Sequence, residues 1–323
     1  MAKISIEEQL DQLESLIFSD AREEDLARLK KFLGAKHKRI IAKAAKLCAD
    51  NHLYQFCPEL KQSFHYFADK TDKDKGCFAK NAIVKTLYQL DHWDADLYTR
   101  AITTRQMEPV WGGSVDTAVE LRCWGAYGLT LSPNARIILQ LLELLHDPEP
   151  QARLGAVKAI ANTNPTHAEM LLREKVFDGD EDAYIIGECF HQLIAIEPEH
   201  SLEFIKRFLD HHQEEWVEYS ALAIAECPDP AAFDILKQAI DDCFYPTKKT
   251  HLIKAVALHR SKQALSYLLA LLESVGKQQG IAIIEALSIY RSNDDIRQQV
   301  TDKITKTHQS DIAQAFEKYW NQQ

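Results

Sequence analysis

Glycine and proline are scarce in this sequence, whose 323 residues include 11 glycines and 10 prolines. Sheet-rich folds need many tight turns, and such turns draw on these two residues. Hydrophobic residues make up 46% of the chain and charged residues 27%, which is ordinary for a protein with a core and a polar surface. The composition therefore favours helices over strands.

The seven cysteines show no pairing pattern. Their number is odd, and no two of them stand in a CxxC motif. Such usage is typical of reduced thiols that pack as small hydrophobic side chains in a reducing compartment. The N-terminal stretch turns acidic after Lys3, unlike a secretory signal, and no apolar run approaches the roughly 20 residues that span a bilayer. The sequence therefore predicts a soluble, cytoplasmic protein.

Motifs of catalysis and metal binding are also missing. The histidines are scattered, and neither HExxH nor the His-Glu dipeptide of the HEAT-repeat di-iron hydroxylase occurs. Gly112-Gly113 is not followed by GKS or GKT, and GxGxxG is absent. Cys77 and Cys123 stand in apolar helical surroundings, where a thiol usually belongs to the core. We therefore expect no catalytic residue, no metal and no cofactor, and a role without enzymatic activity.

Charge is unevenly spread along the chain, whose formal net charge is -10. Residues 22–46 include nine basic and three acidic side chains, whereas residues 140–245 include 22 acidic and seven basic ones. The acidic middle would repel a nucleic-acid duplex and attract a basic partner. A basic patch is predicted at Lys36, Lys38, Arg39, Lys43 and Lys46, although a solvated helix face explains the same residues.

Amphipathic helices recur in pairs along the chain. Apolar residues at helical spacing mark eight pairs, each divided by a polar turn, at steps of 30 to 39 residues. The pairs begin near Asp20, Cys57, Asp94, Pro133, Pro165, Glu199, Asp229 and Ser261. We predict a single domain over 1–323, with an N-terminal cap helix in 1–19, helical repeats in 20–292 and C-terminal capping helices in 293–323.

The fourth pair has the clearest signature, HDPEPQARLGAVKAIANTNP at 146–165. This stretch resembles the HEAT-like repeats of the phycobilisome-lyase type, in which a turn Asp and a following Arg belong to a polar ladder between neighbouring repeats. The resemblance implies that role for Asp147 and Arg153. The helix rhythm extends the same architecture along the chain, although only this repeat shows the motif strongly. The predicted fold is all-α, a right-handed α-solenoid of about eight HEAT-like helix pairs with terminal capping helices.

The third repeat is interrupted between its two helices. Residues 105–115 take eleven positions where about five would suffice, and they include Met107 and Trp111, which are costly to leave in water. Gly112-Gly113 permits positive backbone angles and so indicates a loop of defined shape. The stretch is also similar to a QMEPVWGG-like segment of bacterial HEAT-repeat proteins. The candidate binding residues are Arg105, Glu108, Trp111, Asp116, Glu120 and Arg122.

Two interpretations of this stretch compete. In the structural one, Trp111 fills a gap between repeats and the charged side chains pair with one another. In the functional one, Trp111 stands in a groove beside Glu120 and Arg122 and contacts a partner.

Nucleic acid is the alternative partner. Trp111, Asp116 and Arg122 are the residue types that HEAT-like alkylpurine DNA glycosylases place around an extruded nucleotide, and this resemblance implies DNA binding or a glycosylase activity. The basic helix 36–46 would then contact phosphates, against the overall negative charge. The sequence therefore favours a non-enzymatic scaffold, the concave face of which recognises a protein or peptide partner with a basic segment.

Overall fold

The computed structural model describes residues 5–18, 23–132, 136–307 and 309–321. Asp20 and Pro133, where the first and fourth pairs were predicted to begin, lie outside these residues. The described residues form nineteen α-helices and one two-stranded antiparallel sheet. The all-α repeat prediction is confirmed, and the small sheet in the third repeat is an addition to it.

The chain divides into two compact units, Met1–His167 and Ala168–Gln323. The helices of the first unit are α1 (Ile6–Glu14), α2 (Glu23–Leu33), α3 (Lys38–Asp50), α4 (Cys57–Asp69), α5 (Phe78–Gln89), α6 (Ala95–Thr103), α7 (Val119–Leu129), α8 (Ile137–Leu144) and α9 (Pro150–Ala161). Its strands, β1 (Met107–Val110) and β2 (Gly113–Asp116), lie between α6 and α7 in the chain.

The second helices of successive pairs pack side by side in the first unit. Helix α3 contacts α5, α5 contacts α7 and α7 contacts α9, while α2, α4, α6 and α8 each pack against the second helix of their own pair. Gly128 of α7 lets α6 and α7 approach closely, because a Cβ atom at this position would lie 2.0 Å from the ring of Tyr98 on α6. A repeated helix pair with a shared apolar seam is the unit of a helical-repeat protein.

The second unit also places successive second helices side by side, and its helices are ten in number among the described residues. They are α10 (Pro165–Asp178, which begins three residues before the unit does), α11 (Ala183–Ile196), α12 (Pro198–Ile205), α13 (Glu214–Glu226), α14 (Ala231–Asp242), α15 (Pro246–Leu258), α16 (Lys262–Leu271), α17 (Lys277–Leu287), α18 (Asp294–Thr307) and α19 (Ser310–Trp320). Helices α11, α13, α15, α17 and α19 pack in that order. The last two helices therefore continue the array, because α18 contacts α16 and α19 contacts α17.

The predicted rhythm matches the observed elements. The eight predicted pairs correspond to α2 with α3 and so on to α16 with α17, and the predicted cap helix is α1. No helix in the described residues is long and apolar enough to cross a membrane. The single-domain boundaries stay a prediction.

Candidate functional site

The predicted loop of the third repeat is a β-hairpin. Strands β1 and β2 pair in antiparallel register from Met107 opposite Asp116 to Val110 opposite Gly113, and Trp111 and Gly112 form the two-residue turn. Gly112 has a φ of +88°, a conformation that glycine adopts without strain. The interrupted stretch therefore has a defined shape, as Gly112-Gly113 indicated, and that shape is a paired hairpin with Gly112 in its turn.

Trp111 stands at the tip of this hairpin and is fully exposed, at 102% of its reference area. Three other apolar side chains of the hairpin are about half exposed, and so is Phe78 at the start of α5; the four are Phe78, Met107, Val110 and Val115. The interpretation in which Trp111 fills a gap between repeats is wrong. Large apolar side chains exposed on one short element are typical of a contact site.

The base of the hairpin is closed by hydrogen bonds between its two ends. The backbone N–H of Thr117 donates to the carbonyl of Gln106 at 2.9 Å. In return, Asp116 accepts from the backbone N–H of Gln106 at 3.0 Å. The carboxylate of Asp116 also accepts from the N–H of Ala118, one residue before α7. The chain thus enters and leaves the hairpin at one fixed point.

Arg122 is completely buried beneath the hairpin and joins two carboxylates. Its guanidinium donates to Asp116 at 2.6 Å and to Asp147, in the turn of the fourth repeat, at 3.0 Å. Burial would raise the pKa of Asp116, but the hydrogen bonds from Gln106, Ala118 and Arg122 outweigh it and hold that pKa below its usual range. The buried cation therefore fixes the hairpin base to two successive repeats.

This ion-pair system is one part of a ladder that runs through three repeats. In the second repeat, Lys80 is fully buried, lies 3.3 Å from Asp74 and donates to Gln106 of the third repeat at 2.7 Å. In the fourth, Arg153 donates to the backbone carbonyl of Asp147 at 3.0 Å. The family resemblance pointed to the last of these alone.

A recurring spacing in the sequence carries this ladder. An Asp precedes a Lys or Arg by six residues in DKGCFAK at 74–80, DTAVELR at 116–122 and DPEPQAR at 147–153. In each case the acid lies just before a second helix and accepts from backbone N–H groups there. Reading this spacing would have placed Asp116 and Arg122 in the interior.

Glu108 ties the hairpin to the turn before α5. One carboxylate oxygen accepts from the backbone N–H of Gly76 at 2.7 Å, from the side chain of Gln106 at 2.6 Å and from Thr117 at 3.0 Å. These hydrogen bonds, with that from Gly76 foremost, hold the pKa of Glu108 below its usual range. The hairpin is therefore attached on both sides, to the second repeat and to the fourth.

An aromatic cluster covers the half-exposed face of α5 and α7. The rings of Tyr88, Trp124 and Tyr127 lie 5.5 to 5.9 Å apart between centroids. Lys85 stands over the ring of Trp124 at 5.1 Å, and Glu120 accepts from the indole N–H of Trp124 at 3.1 Å. These rings belong to none of the predicted site residues, although Trp124 and Tyr127 recur at helical spacing on α7.

The candidate residues separate into two groups. Trp111 and Glu120 are exposed, Arg105 is half exposed with a 2.5 Å contact to Asp147, and Glu108 is partly exposed. Asp116 and Arg122 are buried at the hairpin base, while Trp111 lies at its tip. The structure therefore does not bring Trp111, Asp116 and Arg122 to one surface, as extrusion of a nucleotide would need.

The predicted basic residues of α3 and its preceding turn are divided among several contacts. Arg39 lies 3.3 Å from Glu7 and Lys43 lies 2.6 Å from Glu14, both on α1. Lys38 stands over the ring of Phe78 at 5.0 Å, and Lys36 over that of Tyr66 at 5.5 Å. Lys46 is exposed. Two of the five charges thus face carboxylates.

Burial lowers the reactivity of the two cysteine thiols near the hairpin. Burial raises the pKa of the Cys123 thiol to about 11, which keeps it protonated and weakly nucleophilic at neutral pH. The pKa of Cys77 is raised by burial as well. Within the ranges that the structure describes, no three His, Cys, Asp or Glu side chains are grouped so as to hold a metal ion.

No protein-family model matches the sequence, and neither does any curated protein. Among solved structures, the chain is similar to the CpcE–CpcF complex of phycocyanin lyase from Nostoc sp. (14% identity, 71% of this chain and 88% of that one, TM-score 0.33). It is also similar to an engineered protein (12% identity, 98% and 95%, TM-score 0.36) and to human deoxyhypusine hydroxylase in complex with glycerol (12%, 88% and 96%, TM-score 0.29). These TM-scores are too low to bear on function.

Proposed function

We propose that this protein is a non-enzymatic helical-repeat scaffold that recognises a protein or peptide partner through the hairpin of the third repeat. The observation that carries the proposal is the full exposure of Trp111 at the tip of a hairpin whose base is fixed by buried ion pairs. Exposing an indole in water is unfavourable, and fixing the segment that exposes it lowers the entropy lost on binding. Both features are typical of a contact residue at the centre of an interface.

The surroundings of Trp111 support a protein partner. Half-exposed apolar side chains flank it on the hairpin, and the helix that follows the hairpin, α7, carries the exposed Glu120 hydrogen-bonded to Trp124. Protein interfaces combine such an aromatic and aliphatic centre with a polar rim. The basic segment that we propose in the partner would contact Glu120, which is exposed and lies four residues after the hairpin in the chain.

Site-specific crosslinking tests the proposal in cells of the protein's own source. A photoreactive benzoylphenylalanine replaces Ser114, which is exposed on β2, and a matched protein carries it at Tyr54, which is 57% exposed elsewhere in the first unit. We expect a discrete crosslinked protein at 114 that is absent at 54. Equal patterns at the two positions, or no product at 114, would contradict the proposal.

The purified partner then allows a quantitative test. Trp111→Ala should weaken binding at least about 30-fold, the loss of about 2 kcal/mol typical of a central aromatic contact. Glu120→Lys should weaken binding of a basic segment, while Tyr54→Ala should bind as the native protein does. Unchanged affinity in both hairpin-side variants would show that the partner binds elsewhere.

A further inference from the structure

A wide apolar groove lies in the second unit, between α14 and the 3-10 turn Lys206–Phe208 that follows α12. Its volume is about 780 Å³, within the range of about 300–1,000 Å³ that ligand-binding clefts span. Leu209, Ile235 and Ala239 contribute apolar lining, and Phe244 stands at its edge with 93% of its surface exposed. The hairpin of the first unit contributes nothing to this site.

Helix α14 builds one wall of the groove in two rows. The apolar row is Ala231, Ile235 and Ala239, and the polar row is Asp234, Gln238 and Asp242. Residues four apart lie on one face of a helix, so each row runs along the groove. Asp234 and Asp242 are eight residues apart, which places them about 12 Å from one another along the helix axis.

The charges lining the groove are unbalanced. The lining includes four acidic residues, Glu203, Asp210, Asp234 and Asp242, and two basic ones, Lys206 and Arg207. Lys206 pairs with Glu203, and Asp210 lies 3.0 Å from Lys248. Asp242 accepts a hydrogen bond from the neutral side chain of Gln238. In the described part of the chain, no Lys or Arg lies within ion-pair distance of Asp234 or Asp242.

We propose that this groove docks an amphipathic helical segment of a protein partner. The segment has large aliphatic or aromatic side chains on one face, which enter the groove beside Phe244. Its flank carries two Lys or Arg residues seven or eight positions apart, because that interval along a helix matches the spacing of Asp234 and Asp242. The carboxylates disfavour an acidic or phosphorylated segment by repulsion.

Two synthetic helical peptides serve as probes for this site. Both are fluorescein-labelled 16-residue peptides with leucines on one face; one carries Lys at two flank positions seven apart, and the other carries Glu there. Fluorescence anisotropy with the full-length protein measures their affinities at two salt concentrations. We expect the lysine peptide to bind at least about 10-fold more tightly than the glutamate peptide, with a difference that shrinks at higher salt.

Variants of the protein separate docking in the groove from general attraction to an acidic surface. Asp234→Asn with Asp242→Asn should weaken the lysine peptide at least about 10-fold, and Phe244→Ala should weaken both peptides. Asp294→Asn with Asp295→Asn makes the same change in charge at exposed positions of α18 and should have no effect. Circular dichroism and thermal unfolding confirm that each variant is folded.

Three results would overturn the docking site. They are equal affinity for the two peptides, equal losses in the α14 and α18 variants, and unchanged binding in Phe244→Ala. Trp111→Ala should bind the lysine peptide like the native protein, since the hairpin is a different site. Failure of the groove proposal would therefore leave the hairpin proposal standing, and the reverse also holds.

Discussion

The carboxylate of Glu108 accepts a 2.7 Å hydrogen bond from the backbone N–H of Gly76, which ties the hairpin of the third repeat to the turn of the second. The pKa of Glu108 is lower in the folded protein than the ordinary glutamate value of 4.5. The ionised carboxylate therefore stabilises the folded state above pH 4.5, and this stabilisation is lost as the pH falls through the lower folded pKa. Acidification should therefore loosen the hairpin from the Gly76 turn.

The backbone amide of Gly76 reports this step in a nuclear magnetic resonance titration. Its proton shift should move upfield below about pH 4.5 as Glu108 takes up a proton, and the Glu108→Gln variant should lose that titration while keeping the fold. A Gly76 resonance that titrates identically in the native protein and the variant would show that another group is responsible.

Arg122 should be the most sensitive position of the candidate site. Arg122→Met leaves the buried carboxylates of Asp116 and Asp147 without their shared cation, and loss of one partner from a buried ion pair costs about 3–5 kcal/mol. Lys43→Met, which removes a solvent-exposed pair with Glu14, should destabilise the protein far less. Urea unfolding measures both, and similar losses in the two variants would contradict the ladder's role.

Gly112 and Gly113 form a matched pair for testing the turn. A Cβ atom added at either position would have no neighbouring atom within 4 Å, so an added methyl meets no obstacle at either. Only Gly112 has a positive φ, and Gly112→Ala should therefore destabilise the hairpin by about 1 kcal/mol while Gly113→Ala does not. Hydrogen exchange at the amides of β1 and β2 distinguishes the two; equal exchange would argue against a strained turn.

Two cysteines, Cys123 and Cys243, are partly buried rather than fully buried, and they should react at different rates. Burial raises the pKa of Cys123 to about 11, so at pH 8 only about one molecule in 1,000 carries its thiolate. Iodoacetamide should therefore label Cys243 well before Cys123, as peptide mass spectrometry would show. Preferential labelling of Cys123 would mean that its surroundings are more open than the structure indicates.

The repeated helix pairs could be predicted from the sequence, because each pair buries an apolar stripe at helical spacing. The hairpin was not readable in the same way, since each strand has four residues and β1 contains Pro109. Arg122 was misplaced because its burial depends on Asp147, 25 residues later, and pairing across that distance becomes visible only when the six-residue Asp-to-cation spacing is compared among repeats. The exposure of Trp111 could be predicted neither from the helical spacing of apolar residues nor from the Asp-to-cation spacing.

The closed base of the hairpin makes the third repeat a natural insertion point. Gln106 and Thr117 are hydrogen-bonded to each other, so the turn at Trp111 and Gly112 can change in length or sequence while Glu108 and Asp116 keep their contacts and the flanking helices keep their places. The ladder residues that fix this junction lie outside the turn. A foreign loop in place of that turn would be displayed on a rigid support, so the tip of the hairpin can vary without redesign of the core.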